Sequence, residues 1–583
     1  MTGSATRVAT LAALAALAVA GCTDGGGARS DHAAAPTSVA ELSSAPVDDH
    51  AGPEFPLRVP SGRRPVVRAG DDWTVPAWAR PAAYSGFFSE SALPADHVQV
   101  RSVDVSWAQI QPTEDGALDL TSSGEAQGMF FDPLGEQLAE QGPYWVRLFA
   151  SGVDWAPPWV VDKCGVGPVG TDYDGQQHLP IWDDCVWTEL SATWRRLLVD
   201  QGVLGDPDFR FAYVPGGFTW VEYDYEMISA AVRKGLLTEA DYLAWYDRML
   251  DDLAEIAGPQ VGQLVFTGED YPWGPFGKDD DLLATRAVRR GLGVRTGITE
   301  ESNFHLSETP AYGSHVGPDG HLVVRRPDPT GLQVFGTENE CYVDCGFAAQ
   351  DPSYDVVQSN LKALQLRMNW VYVVPGDSLL DPNRQHWDWV RLSLGRTPET
   401  SADAWVSLRD AEDTFWRDTR WPFPDRRWRG RPFVRNLERW LVQVEAPGAV
   451  AHRSRADVHR GDPTPENGVA FEGLRTDRVA GDTALAFRVD PRFLPAGGSR
   501  GVLVKVTFLD RGRGSFRLRE AHGSTPAVRL RDTGTWRTAT WRLRLGAGHL
   551  LPHRTDLRIE ARGSDLTVRF VRVVRLRPPP VVE

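Results

Sequence analysis

The chain has 583 residues, 42% of them hydrophobic, which is enough for about two to four domains with sizeable cores and excludes a disordered or fibrous polypeptide. Its formal charge of −16 argues against wholesale nucleic-acid binding, so no nucleic-acid partner is expected. Trp is unusually frequent at 22 residues, and broad indole faces suit the apolar faces of sugar rings as well as protein cores.

The N-terminus opens with Arg7 and the apolar run VATLAALAALAVA, which is too short to span a bilayer as a mature helix. Val19-Ala20-Gly21-Cys22 follows and resembles a bacterial lipobox. The resemblance implies removal of the signal peptide, residues 1–22 up to the lipidated Cys22, and a mature chain tethered to the outer face of the cytoplasmic membrane. Residues 23–70, rich in Gly, Ala, Ser, Pro and Asp without apolar periodicity, read as a tether. From residue 71 to about 430, strand-like apolar runs alternate with amphipathic helical stretches, the rhythm of a β/α fold.

The runs HVQVRSVDVSW, YWVRLFA, RFAYV, VGQLVFTGED, LGVRTGI, GLQVFGTENE and MNWVYVV each read as a buried strand with polar residues following. WTELSATWRRLLVDQ, EADYLAWYDRMLDDLAEIA and SYDVVQSNLKALQLR show helical spacing between them. Seven strands in this rhythm predict a (β/α)8 barrel, with residues 80–88 or a strand hidden in a loop as the eighth. Four cysteines remain beyond Cys22. In an exported chain an even remainder favours disulfides, most simply Cys164 with Cys185 and Cys341 with Cys345, although three pairings are formally possible. A zinc site is the rival reading, without Cys-x-x-Cys or His-x-x-x-His spacing to support it.

From 431 to 583 helical periodicity gives way to short alternating strands, among them TALAFRV, GVLVKVTFLD, GSFRLREA, TWRTATWRLRL and DLTVRFVRVVRL, which predict an antiparallel, carbohydrate-binding-like β-sandwich. Residues 501–583 hold 17 basic and 7 acidic side chains, a net of +10, so the rest of the chain carries −26. An acidic barrel is joined to a basic sandwich.

In such a barrel the polar residues just past each strand converge on one face. That rule collects Asp154 and Trp155, Glu222 and Asp224, Glu269 and Asp270, Glu300 and Glu301, and Glu338 and Glu340, with Trp107, Trp220, Trp273 and Trp370 around them. Of these, Asp154, Trp155, Trp220, Glu222, Glu269, Asp270, Trp273, Glu338, Glu340 and Trp370 are the candidates for catalysis or substrate contact. No nucleophile elbow, phosphate loop, dinucleotide fingerprint or His-Glu-x-x-His motif appears. Paired carboxylates remain, the requirement of glycosidic cleavage: one acid to protonate the leaving oxygen, and one carboxylate to attack or activate water, with no cofactor.

SWAQIQPTEDGALDL resembles the W-x-x-I-E-P-x-x-G-x-Y-D signature of clan A glycoside hydrolases, and DWAPPWVV resembles the Pro-Pro-Trp loop of their β-galactosidase-like branch. The resemblance covers roughly residues 95–375 and implies an acid/base Glu after strand four and a nucleophile Glu ending strand seven. One departure stands out: the family's Asn-Glu pair is replaced by Gly216-Gly217, with Glu222 five residues later. The expected pair is Glu222 as general acid/base and Glu338 as nucleophile or general base, acting on a carbohydrate substrate. A non-catalytic polysaccharide-binding lipoprotein is the alternative expectation.

Overall fold

The computed structural model describes residues 52–62, 64–89, 100–114, 116–172, 175–222, 225–268, 283–296, 310–325, 332–337, 352–373, 383–411, 436–460, 469–496, 498–548 and 551–579. Along Tyr144–Phe149 every residue is buried, yet the side chains divide between two cores. Tyr144, Val146 and Leu148 join one apolar cluster, and Trp145 and Phe149 join another. The two-residue period of a strand sends alternate side chains to opposite faces, so a run buried on both sides must lie between an enclosed interior and a covering layer of helices.

Eight strands build that wall: β1 (Gly86–Phe88), β2 (Arg101–Ser106), β3 (Tyr144–Phe149), β4 (Phe209–Val214), β5 (Leu264–Phe266), β6 (Gly293–Thr296), β7 (Phe335–Thr337) and β8 (Trp370–Tyr372). Each pairs in parallel with its neighbours in chain order, β8 pairs back onto β1, and a parallel bridge between Phe88 and Val100 closes the ring between β1 and β2. All seven expected strands are present, and the eighth comes from the 80–88 region. Helices cover the outside: α1 (Leu134–Ala139) after β2, α2 (Asp184–Arg195) after β3, α3 (Glu239–Ala257) after β4, α4 (Leu283–Arg289) after β5, α5 (Pro352–Gln365) after β7 and α6 (Arg384–Ser393) after β8. The start of α3 is fixed by Thr238, whose side chain accepts from the Asp241 amide, with Glu239 and Asp241 placed favourably in the first turn. Inside, Phe88, Trp145, Phe211, Tyr213, Trp370 and Tyr372 fill the barrel with mostly edge-on rings. The interior is a packed core rather than a pore.

The C-terminal part is an antiparallel sandwich, as expected. One sheet contains β9 (Asp403–Ser407), β10 (Arg409–Ala411), β11 (Leu437–Arg439), β13 (His452–Arg460), β14 (Val469–Arg475), β16 (Arg500–Leu509), β20 (Trp536–Leu545) and β22 (Thr567–Arg575). The other contains β12 (Leu441–Val444), β15 (Ala484–Val489), β17 (Ser515–Glu520), β18 (Gly523–Ser524), β19 (Val528–Arg529) and β21 (Leu557–Arg562). The first sheet takes strands from stretches assigned elsewhere in the sequence. Val66–Ala69, at the end of the tether stretch, pairs with β20, and β9 and β10 precede residue 430. The reason lies in burial: β9 is covered at all five positions, so its run DAWVS carries no solvent-facing alternation to separate it from a barrel strand.

Barrel and sandwich meet in a buried charged cluster. Arg572 of β22 donates to Asp403 of β9 at 2.5 and 2.9 Å and to the carbonyls of Asp72 and Thr74 at 2.7 and 3.3 Å. Trp389 of α6 donates to the same Asp403 carboxylate at 2.8 Å, and Lys505 of β16 donates to Asp72 at 2.6 Å. His386 packs beside Trp73 and Trp389 with neither ring nitrogen hydrogen-bonded. Burial, and then the nearby Arg572 charge, push His386 down to about 3.

Two outcomes follow from this seam. Arg572→Ala leaves Asp403 charged and buried and is expected to cost about 3–5 kcal/mol in chemical denaturation. Below pH 6.5 the unfolded chain protonates His386 while the folded chain refuses the proton, so this residue's stabilising effect is complete above pH 6.5. It is lost at about 1.4 kcal/mol per pH unit as pH falls toward 3. A stability-versus-pH series on His386→Phe is expected to show a flatter acid limb than the parent.

Candidate active site at the C-terminal rim of the barrel

Strand β4 ends at Val214, and the chain then turns through Pro215-Gly216-Gly217. Gly216 has φ +99°, and a Cβ there would lie 2.9 Å from the Leu148 carbonyl oxygen, so the turn requires glycine. Hydrogen bonds fasten this turn and the loop that follows. The Trp194 indole donates to the Pro215 carbonyl at 2.9 Å, the Ala150 amide to Gly216 at 3.0 Å, the Thr267 hydroxyl to Val221 at 3.1 Å, and the Phe218 amide to Glu222 at 2.7 Å. The loop presents Glu222 toward the barrel mouth.

There the Glu222 Oε1 accepts from the Arg295 guanidinium at 2.7 Å. Arg295 sits on β6 with its side chain only 3% exposed, against 30% for Glu222. Its guanidinium carbon lies 5.5 Å from the Tyr213 ring centroid and 5.7 Å from that of Tyr372. The rings hold the cation from within the barrel, and the carboxylate meets it from the rim. A second guanidinium, Arg147 of β3, binds Asp104 of β2 through two parallel contacts of 2.9 and 2.6 Å. Asp104 was missed, and its signal was present: in SVDVS it shares the inward phase with Ser102 and Ser106, alternating with the helix-facing Val103 and Val105.

The remaining candidates separate. Asp154 is exposed and accepts from Gln127 at 3.1 Å. Trp220 is half-buried against the barrel core and stands beside Glu222 in the chain. Trp155 corrects its expectation as a sugar platform, because it is fully buried and packs edge-on against Phe149 and His178. Trp370, expected to contact substrate, is also buried, edge-on to Phe88 and Phe211 inside the barrel. Glu269, Asp270, Trp273, Glu338, Glu340, Cys22, Cys341 and Cys345 lie outside the described residues. Cys164 and Cys185 form the expected disulfide. These two cysteines with Asp183 are the one grouping of potential metal ligands among the described residues, and the disulfide occupies both sulfurs.

Beneath the loop lies an arrangement that no sequence motif announced. The Ser151 hydroxyl is 2.9 Å from His178 Nδ1, and His178 Nε2 is 2.8 Å from the Asp172 carboxylate. The hairpin of Gly170–Thr171 with Gln177–His178 brings the latter two together. All three side chains are buried, so the row braces the loop rather than presenting a nucleophile to solvent. Ser151 lies under Gly217, where an added Cβ would come within 3.0 Å of the Ser151 side chain, and the Phe218 ring stands edge-on to His178. Burial pushes His178 down, against the pull of Asp172.

No protein-family model and no curated protein matches the chain. Among solved structures it is similar, at 7% identity and a TM-score of 0.21 over 83% of its length, to a Paenibacillus sp. cycloisomaltooligosaccharide glucanotransferase complexed with cycloisomaltoheptaose. The chain spans 56% of that protein's length. What defines the class is the chain's own architecture, a (β/α)8 barrel followed by an antiparallel β-sandwich. Replacing His178 with Leu removes one partner of the buried Asp172 carboxylate, which keeps the Gln176 amide at 2.8 Å, and is expected to cost about 1–3 kcal/mol in urea unfolding.

Proposed function

We propose that the protein is a membrane-anchored, extracytoplasmic glycoside hydrolase that cleaves a poly- or oligosaccharide with Glu222 and Glu338. The observation that carries this reading is positional. With Gly86–Phe88 as strand one, Glu222 follows strand four, and Glu338 directly follows Thr337, the last residue of strand seven. Those are the two addresses that the clan A resemblance implies for the acid/base and the nucleophile. In this scheme Glu222 protonates the departing glycosidic oxygen, while Glu338 attacks the anomeric carbon or activates water. Trp220 is the remaining described candidate for a sugar platform, since its ring is half-buried at the rim.

The Arg295 guanidinium, 2.7 Å from Oε1, positions the Glu222 carboxylate and leaves its second oxygen for a glycan. The same contact favours the second reading, a surface protein that binds polysaccharide without cleaving it, because a fixed ion pair is also a means of holding sugar hydroxyls.

Reducing-sugar release from a panel of envelope and plant polysaccharides separates the two. The hydrolase reading predicts release by the parent and a loss of at least about a hundredfold in both Glu222→Gln and Glu338→Gln, with glycan affinity retained. Tight binding to one glycan without release from any would establish the binding protein instead.

A further inference from the structure

The sandwich carries an arginine-rich face that the proposed chemistry does not use. In the six-stranded sheet, the register of β17 with β21 sets Ser515 opposite Arg562, Arg517 opposite Glu560 and Arg519 opposite Arg558. The register of β17 with β19 sets Ser515 opposite Arg529. Directly opposed residues project to the same side. The alternate residues Phe516, Leu518 and Ile559 face the sandwich core, so Arg517, Arg519, Arg529, Arg558 and Arg562 share the outer face.

Charge on this face is lopsided. Glu560 is the single acid among these outward positions, and it is shared by Arg517 at 3.0 Å and Arg519 at 3.5 Å. Both arginines keep about half of their side chains exposed, 49% and 51%. Arg529 and Arg562 are exposed as well. None of the outward positions on β17, β19 and β21 carries an aromatic ring, so the face offers positive charge without a stacking platform for sugars. The neighbouring strand β15 does not extend the patch, because Ala484 and Ala486 pack on that side beneath the 446–449 turn.

We propose that this face docks on the anionic headgroups of the membrane to which the N-terminus is anchored. The proposal rests on the membrane-anchored reading of Cys22. Charge complementarity supplies the attraction, and arginines spread over three neighbouring strands match a plane of phosphates better than a single threaded polymer. The chain between the lipidation position and the first described residue, 23–51, allows an end-to-end reach of about 30 Å as a coil, comparable to a small domain. A body held at that distance meets the bilayer repeatedly, and each basic side chain near an anionic surface strengthens binding by a factor of about five.

The test uses the chain without residues 1–22, which has no lipidation site and loses none of the described structure, in co-sedimentation with vesicles of phosphatidylglycerol or of phosphatidylcholine. Binding to phosphatidylglycerol alone, weakening as salt is raised, is the expected result. Joint replacement of Arg517, Arg519, Arg558 and Arg562 by Gln is expected to weaken that binding by about six hundredfold, and replacement by Lys to retain most of it. Circular dichroism and the thermal midpoint check that both variants remain folded, and the pair Arg519→Gln with Arg558→Gln replaces the fourfold variant if that one unfolds. Equal binding to both lipids, full binding by the Gln variants, or capture by soluble alginate with no vesicle binding would each overturn the proposal. Because no glycan is cleaved in this assay, its outcome is independent of the hydrolase reading.

Discussion

The Arg572–Asp403 pair is the contact on which the arrangement of the two domains depends. Removing a guanidinium and a carboxylate from water costs several kcal/mol per ion, and the cost is offset only when every partner is in place. Here the partners come from β22, β9, α6 and the segment Asp72–Thr74, with the Trp389 ring 5.3 Å from the Arg572 guanidinium carbon. The sandwich therefore completes its buried cluster only when the barrel's last helix is folded against it. The order of the chain agrees. Val66–Ala69 lies in the sandwich sheet, the barrel follows, and β9 returns to the same sheet. The barrel is an excursion between two strands of one sheet, and the cluster stands where that excursion closes.

Much of the fold was legible because barrel strands are buried on both faces and their runs are nearly continuous in apolar residues. YWVRLF and RFAYV leave little choice of structure. The same property hid the domain boundary, since β9 is buried on both faces for a different reason, with Trp405 against the barrel and Ala404 and Val406 in the sandwich core. Local chemistry was legible where it is local. The glycine pair after β4 announced a tight turn, and a left-handed φ with a nearby carbonyl oxygen accounts for Gly216. What a single sequence does not encode locally is the direction in which a loop folds back. Trp155 stands one step past a strand, where rim residues sit, yet its ring folds over Gly152, where a Cβ would lie 2.6 Å from the indole. The Ser151–His178–Asp172 row was invisible for the same reason: a short hairpin, with no motif of its own, sets the three side chains side by side.

Filling the barrel with rings has a consequence for where chemistry can happen. Among the described residues, Phe88, Trp145, Phe211, Tyr213, Trp370 and Tyr372 pack the interior, which favours polar function toward the rim. Two guanidinium groups stand against rings of this interior and its rim, Arg147 near Trp145 and Phe149, and Arg295 near Tyr213 and Tyr372. A low-dielectric floor strengthens each cation's attraction for a carboxylate and makes an unpaired cation costly there. The acidic partners are thus a condition of the aromatic interior.

The two partners differ in a way that separates scaffold from function. Asp104 is a strand residue gripped by Arg147 through both carboxylate oxygens, and its geometry is fixed from both sides. Glu222 comes from a loop and meets Arg295 through Oε1, the one side-chain contact of Glu222 among the described residues. A carboxylate held at both oxygens can orient its neighbour but has little left to offer a substrate. One held at a single oxygen is positioned and keeps the other oxygen for a further partner. The loop carrying Glu222 is itself fastened by the Trp194, Ala150 and Thr267 hydrogen bonds and braced by the buried His178 row, so the carboxylate is placed by rigid elements although it sits outside any strand. Of these two ion pairs, the one at the end of strand four leaves a carboxylate oxygen open toward the barrel mouth, and the one within strand two engages both of its own.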